Sequence, residues 1–261
     1  MTYSVAGLKT GDKIGKATVV IDIIKKGNPE IRPCTAMKPL YVTIHNTGNR
    51  GKGANAKAHN NLIHNLAGKS VRDTSHVSWH AAVDEDYIYI HIPFNETAWH
   101  CGDGAKGNGN SKSIGLEICM HSDQKHYEQA EENAIALTVH LICFYKLSAN
   151  EVRPHQDWSG KYCPELIMRR DGNFAKYRAR TEVAYQIAIS GDKNTVVKGD
   201  ENIMQFSSST TKSAVRDELV QFVGKGLINQ SWLVKFDKGE MTNGDYDGLK
   251  LIVNQRLIVA K

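Results

Sequence analysis

Two short segments of this chain alternate strictly between apolar residues and polar or small ones. In Leu40-Tyr41-Val42-Thr43-Ile44-His45, Leu40, Val42 and Ile44 fall on one face and Tyr41, Thr43 and His45 on the other. In Ser113-Ile114-Gly115-Leu116-Glu117-Ile118-Cys119, Ile114, Leu116 and Ile118 point one way, and Glu117 lies opposite with Gly115 and Cys119. Strand side chains alternate across a sheet, so each segment reads as a strand with an apolar back and a chemically equipped front. A sheet with one apolar face must bury it under a second layer, which restricts the architecture. Residues 87–92 give a third candidate strand and residues 78–83 a fourth.

Helical patterns supply that layer. Residues 55–66 are weakly periodic. Residues 128–145 are more strongly so, with Ala130, Ala134, Leu137, Leu141 and Tyr145 at three-to-four spacing and Glu128, Glu131 and Glu132 placed in the first turn. There the acids would favour the helix dipole. A further helix or broken pair is expected over 164–189, interrupted near Asp171-Gly172-Asn173. The fold class that follows is α/β: a central sheet flanked by helices, with polar side chains along one side.

With 261 residues the chain exceeds the usual single-domain size. A polar stretch over 191–211 has few apolar anchors and reads as a linker, dividing a main domain, 1–190, from a small helical module, 212–261. About fifty residues make a marginal core, so dimerisation or docking through this module is expected. The net charge of +5 attracts polyanions weakly, but lysines and arginines are interspersed with acids, which argues against nucleic acid as partner. Five cysteines form no dense disulfide framework, so reduced thiols and cytoplasmic synthesis are expected. The first residues lack the charged and apolar pattern of a signal peptide, so none is expected, and no run reaches the length of a membrane span.

The loop His155-Gln156-Asp157-Trp158-Ser159-Gly160-Lys161-Tyr162-Cys163-Pro164 holds an imidazole, a thiol and a cation within ten residues. Imidazole and thiolate suit zinc, and a catalytic zinc site needs three protein ligands and one open position. The third ligand is expected at the end of a buried strand. The glycine-rich run over 102–110 matches neither a P-loop nor a dinucleotide-binding spacing, and reads as a flexible loop at a groove edge.

Five blocks, in order, carry a family resemblance: Val42 to Thr47, Ser78 to Asp84, Ile92 to Gly104, Ser113 to Cys119 and His155 to Pro164. Together they resemble the zinc-dependent N-acetylmuramoyl-L-alanine amidases of phage endolysins and bacterial autolysins, the amidase-2 family related to peptidoglycan recognition proteins. Any one of these residues alone would more often be structural; five ordered blocks are far more specific. The resemblance covers roughly residues 38–170 and implies a mixed central sheet. It implies Zn2+ held by His45, His155 and Cys163, with Glu117 as general base and Lys161 stabilising the oxyanion. Trp79, His80 and His100 fall in blocks implied to contact substrate or support the ligands. The implied reaction is hydrolysis of the amide between N-acetylmuramic acid and L-alanine in peptidoglycan, causing wall lysis. Release of a cytoplasmically made enzyme through holin pores or by lysis follows by analogy.

Two other readings compete. One is a module that binds peptidoglycan without cutting it, which the presence of Cys163, Glu117 and Lys161 disfavours. The other is a zinc amidase of soluble muropeptides in wall recycling. A targeting module after residue 211 argues against that, since its basic and aromatic residues permit anionic wall polymers as ligands.

Overall fold

The computed structural model describes residues 4–74, 76–121, 123–190, 204, 206 and 208–259. The chain divides into two compact units, Met1–Lys193 and Asn194–Lys261. Most of the stretch expected as a linker, 191–211, lies outside the described residues. At its far end a helix already begins at Ser209.

The first unit is built on a mixed sheet of seven strands: β1 (Lys13–Ile14), β2 (Ala17–Ile21), β3 (Tyr41–Asn46), β4 (Ala81–Val83), β5 (Tyr87–Ile90), β6 (Ser113–Ile118) and β7 (Val152–Pro154). Their order across the sheet is β1-β2-β5-β4-β6-β3-β7. The β4–β6, β6–β3 and β3–β7 pairs are parallel, while β4–β5 and β1–β2 are antiparallel. Among the described residues six α-helices accompany them: α1 (Ala56–Ala67), α2 (Asn108–Lys112), α3 (Gln124–Tyr145), α4 (Gln156–Ser159), α5 (Glu165–Asp171) and α6 (Ala175–Ser190).

The alternation read in β3 and β6 sets the layers. Val42, Ile44, Ile114, Leu116 and Ile118 are fully buried in one cluster with Ala130, Ala134, Leu137 and Leu141 of α3. Burying such aliphatic side chains contributes roughly 1.5–3 kcal/mol each. On the opposite face Ile63 of α1 packs with Trp79, Ile92, Ile24 and Ile31 in a second cluster. Next to that cluster, over β3 and β6, the same face lines a cleft.

Helix α3 starts earlier than its periodicity suggests, because Asp123 caps it by accepting hydrogen bonds from the backbone N–H groups of Lys125 and His126. Glu131 therefore lies in the third turn, not the first, and its carboxylate is only 1 % exposed. It is compensated by the guanidinium groups of Arg170 and Arg180, not by the helix dipole, which ties α3 to α5 and α6. The break foreseen after residue 170 is the junction of α5 and α6, where Gly172 adopts φ +78°. The β1–β2 hairpin and the three-residue β7 were not foreseen. Ala17 to Ile21 is a β-branched run that does not alternate, and β7 is too short to show a period.

The second unit comprises α7 (Ser209–Gly224), α8 (Ser231–Asp237) and α9 (Asn243–Val259). Leu219, Ile228, Phe236, Met241, Leu249 and Val253 form its core. Among the described residues no helix is long and apolar enough to cross a membrane.

Leu116, central in β6 and fully buried, tests the layer assignment. Leu116→Ala should destabilise the first unit by about 2–5 kcal/mol, read as a lower denaturant midpoint.

Candidate metal centre

The register of the parallel strands brings the two chemical fronts together. His45 on β3 is the partner of Glu117 on β6, so both side chains leave the same face. His155 follows β7, and its backbone N–H continues the ladder by donating to Ile44 O at 3.3 Å. The chain then makes the single turn of α4, reverses at Gly160 (φ +79°) and returns. Gln156 N–H donates to Cys163 O at 3.2 Å and closes the loop. Cys163 is thereby set beside His45, with Sγ 3.9 Å from Nδ1. Asn46 fixes the exit from the loop: its N–H meets Cys163 Sγ at 3.4 Å, and its Oδ1 accepts from Leu166 N at 3.0 Å.

The structure thus brings together His45, His155 and Cys163, all buried, with one ligand atom of each within 4.8 Å of the others. The hydrogen bonds identify which nitrogens face inward. His100 Nε2 lies 3.2 Å from Ser113 O, a group that only accepts, so the proton is on Nε2 and His100 Nδ1 is an acceptor. His45 Nε2, 3.0 Å from that Nδ1, must then donate, which leaves His45 Nδ1 bare. His155 Nε2 lies 3.0 Å from Cys101 O and by the same logic carries its proton, leaving His155 Nδ1 bare. These two bare nitrogens are 3.1 Å apart.

Electrostatics agree. Burial holds His45 well below the ordinary imidazole range, with neighbouring His100, His155 and Lys161 adding to the effect. Burial, reinforced by Lys161, brings His155 down to about 4. Both rings are neutral at pH 7, the form that binds a metal. Burial, with Glu117 nearby, pushes the Cys163 thiol up to about 12. Burial also raises Glu117 to about 7, with Lys161 opposing, and Glu117 Oε2 is buried without a hydrogen-bond partner. A neutral pair of imidazoles, a thiol and an unpartnered carboxyl around one point fit a divalent cation with N and S preference.

A cleft of about 570 Å³ opens onto this centre, and Glu117, Lys161, Trp79, Trp99, Leu62 and Tyr162 are among its lining residues. Trp79 and His100 both line the cleft. His80 does not: it is fully buried, accepting from Gly115 N at 2.9 Å and meeting Glu96 O at 2.9 Å, so it braces β6 from within. Two glycines are needed for close approach. A Cβ on Gly115 would sit 2.6 Å from His100 Nδ1, and one on Gly109 would sit 2.5 Å from Cys101 Cβ.

Sequence reasoning missed the parts that orient His45 and His155. Asn110 Oδ1 accepts from the N–H groups of His100 and Cys101, both at 2.8 Å, and so aims His100 at His45 and Cys101 O at His155. The glycine-rich run read as a flexible edge is anchored: Asp103 accepts from the N–H groups of Gly109 and Asn110. Cys101 is buried with Sγ 3.0 Å from His100 Nδ1, whereas Cys143 is exposed. Backbone carbonyls acting as orienting acceptors leave no residue-type signal in a sequence.

Comparison with known proteins places this geometry in context. Residues 35–166 match the family model described as N-acetylmuramoyl-L-alanine amidase. The chain is similar to the N-acetylmuramoyl-L-alanine amidase CwlH of Bacillus subtilis, 43 % identical over 157 residues, covering 60 % of this chain and 59 % of that one. It is also similar to the amidase CwlA of the same organism, 38 % identical over 195 residues, covering 74 % and 67 % respectively. Among solved structures, the catalytic domain of XlyA is 40 % identical with a TM-score of 0.56, over 62 % of this chain and 98 % of that one. The chain spans about half the length of the first curated relatives it matches, 59 % of CwlH and 43 % of XlyA. From its fold, its ordered motifs and these matches, the chain belongs to the N-acetylmuramoyl-L-alanine amidase family.

Proposed function

We propose that this chain is a zinc-dependent amidase that hydrolyses the amide between N-acetylmuramic acid and L-alanine in bacterial peptidoglycan, and so lyses the wall as endolysins do. The observation that carries this reading is the pair of bare imidazole nitrogens facing one another beside Cys163 and the unpartnered Glu117. His45 Nδ1, His155 Nδ1 and Cys163 Sγ would hold the ion. When bound, zinc supplies Lewis acidity, lowering the pKa of water toward neutrality and polarising the substrate carbonyl.

The remaining work falls to the chain's own groups. Glu117 accepts a proton as water attacks the carbonyl and delivers it to the nitrogen as the C–N bond breaks, so a lactyl carboxylate and the free amine of L-alanine leave. Lys161, exposed at the cleft mouth, brings positive charge toward the carbonyl oxygen as it becomes negative. His100 keeps His45 in the tautomer that presents Nδ1, as outer partners of metal-bound histidines generally do. Trp79, Trp99, Leu62 and Tyr162 give the cleft apolar walls against which sugar and peptide backbones pack.

For the C-terminal unit we infer a wall-retention role. Lys235 lies over the Trp232 ring at 5.4 Å and Lys250 over the Tyr246 ring at 4.7 Å, so cations and aromatics are paired on its surface in a manner suited to anionic wall polymers. Dimerisation through this unit is the competing proposal. Deleting residues 195–261 should weaken retention on purified walls while leaving molecular mass per particle that of a monomer. A halved particle mass would favour dimerisation instead.

Glu117→Gln should lower kcat on purified walls by about 10²–10⁴-fold while zinc content is retained. Release of N-terminal L-alanine is the readout, and undiminished release would contradict the role given to Glu117. Protonated Glu117 cannot act as base, so activity should fall as pH drops through an inflection at or below about 7, a bound cation holding the carboxyl lower than in the free protein. Zinc uptake must displace the Cys163 proton, because burial keeps the thiol protonated at neutral pH. One proton released per ion makes zinc affinity fall roughly tenfold for each pH unit lowered between 8 and 6, measurable by chelator competition.

A further inference from the structure

A second set of metal-type ligands is assembled away from the cleft, on residues the proposed reaction does not use. Glu85 lies in the turn from β4 to β5, His121 follows β6, and His126 lies in the first turn of α3. One nitrogen or oxygen atom of each lies within 4.8 Å of the others. His121 Nε2 is 2.7 Å from Glu85 Oε2, and His126 Nδ1 is 3.5 Å from Glu85 Oε1. The two imidazoles stand nearly perpendicular, with ring centroids 5.5 Å apart at 89°.

An ordinary ion pair is the simplest alternative, and one feature speaks against it. A histidine paired with a carboxylate aims its N–H at an oxygen. Here His121 Nε2 and Glu85 Oε2 are close but misaligned, so both atoms are buried without a hydrogen-bond partner. Buried polar atoms left in that state are rare and call for an explanation. A cation bracketed by the carboxylate and the two rings would satisfy both at once.

The three segments are held independently of any ion. Asn133 Nδ2 donates to Glu85 O at 2.9 Å, and Asp84 Oδ1 accepts from the N–H groups of Asp86 and Tyr87 in the same turn. Asp123 caps α3 and fixes the N–H of His126. Glu85 and His121 are 19 % and 14 % exposed and His126 is 58 % exposed, so the ligand set is rooted inside and open on the His126 side.

We propose that Glu85, His121 and His126 form a second metal site, specific for a divalent transition ion of the zinc, nickel or copper class. Two imidazoles and one carboxylate are the donor set such ions take, whereas magnesium and calcium require mainly oxygen. Bound there, the ion ties the β4–β5 turn to the start of α3. It also steadies one wall of the cleft, because Met120, next to His121, accepts the N–H of the cleft residue Gly48 at 3.1 Å through Sδ.

The test is equilibrium dialysis of the full chain against micromolar Zn2+, followed by metal analysis. The wild type should hold two zinc ions, and His126→Gln and His121→Gln one each, with second-ion affinity lowered at least tenfold. Cys163→Ser should lose the cleft ion and keep the other. His126 is exposed, so His126→Gln keeps the fold, which circular dichroism verifies. A wild type holding one ion that Cys163→Ser loses and His126→Gln keeps would overturn the second site. So would two ions that survive both histidine substitutions. One ion that Cys163→Ser keeps and His126→Gln loses would support this site and count against the cleft assignment.

Discussion

Two unprotonated imidazole nitrogens 3.1 Å apart repel one another, and a buried site tolerates that only if something positive belongs beside them. Their lack of protons is imposed from outside the pair. Ser113 O and Cys101 O can only accept, so they draw the protons of His100 and His155 outward, and His100 in turn draws that of His45. A chain of carbonyl, imidazole and imidazole thus writes the tautomer of the innermost ring. The rest of the first unit can be understood as the means of keeping those carbonyls and rings in place.

The sheet supplies the rigid part. Parallel pairing of β3 with β6 and β7 sets His45 level with Glu117, both on strands paired on either side, and delivers His155 at the end of the edge strand β7. Close approach then matters as much as ligand identity. Gly115 leaves room for the His100 ring, His80 braces Gly115 from behind, and Asn110 holds the peptide that carries both His100 and Cys101. Burial does the electrostatic work: it keeps His45 and His155 neutral and Cys163 protonated, the starting state from which the proposed ion would displace the thiol proton. The cluster at Glu85, His121 and His126 differs in kind. Its side chains come from turns and a helix end rather than strand ends, and one of them faces solvent, which would suit a staple better than a reaction centre.

How much of this was legible follows from which interactions leave a mark on residue type. Strict alternation in residues 40–45 and 113–119 announced two strands and their chemical faces, since period-two burial is written directly in the side chains. The break at Asp171-Gly172-Asn173 was legible for a similar reason, because glycine at φ +78° ends a helix. The proposed ligand triad needed the ordered family motifs, as a histidine at a strand end is ordinarily structural. His80 shares a block with the cleft residue Trp79 but is fully buried beside the His100 ring, a difference that a shared motif does not announce. Glu131 shows the limit of local electrostatics, since its partners Arg170 and Arg180 lie some forty and fifty residues away in sequence. The orienting carbonyls were invisible altogether, every residue having one.

The central claim is that the two histidines present Nδ1, not Nε2, to a zinc ion shared with Cys163. Anomalous diffraction at the zinc edge from zinc-loaded crystals tests it most directly. The account predicts one ion in the cleft, about 2.0–2.1 Å from His45 Nδ1 and His155 Nδ1 and about 2.3 Å from Cys163 Sγ. An ion bound through either Nε2, or one without the sulfur, would contradict it.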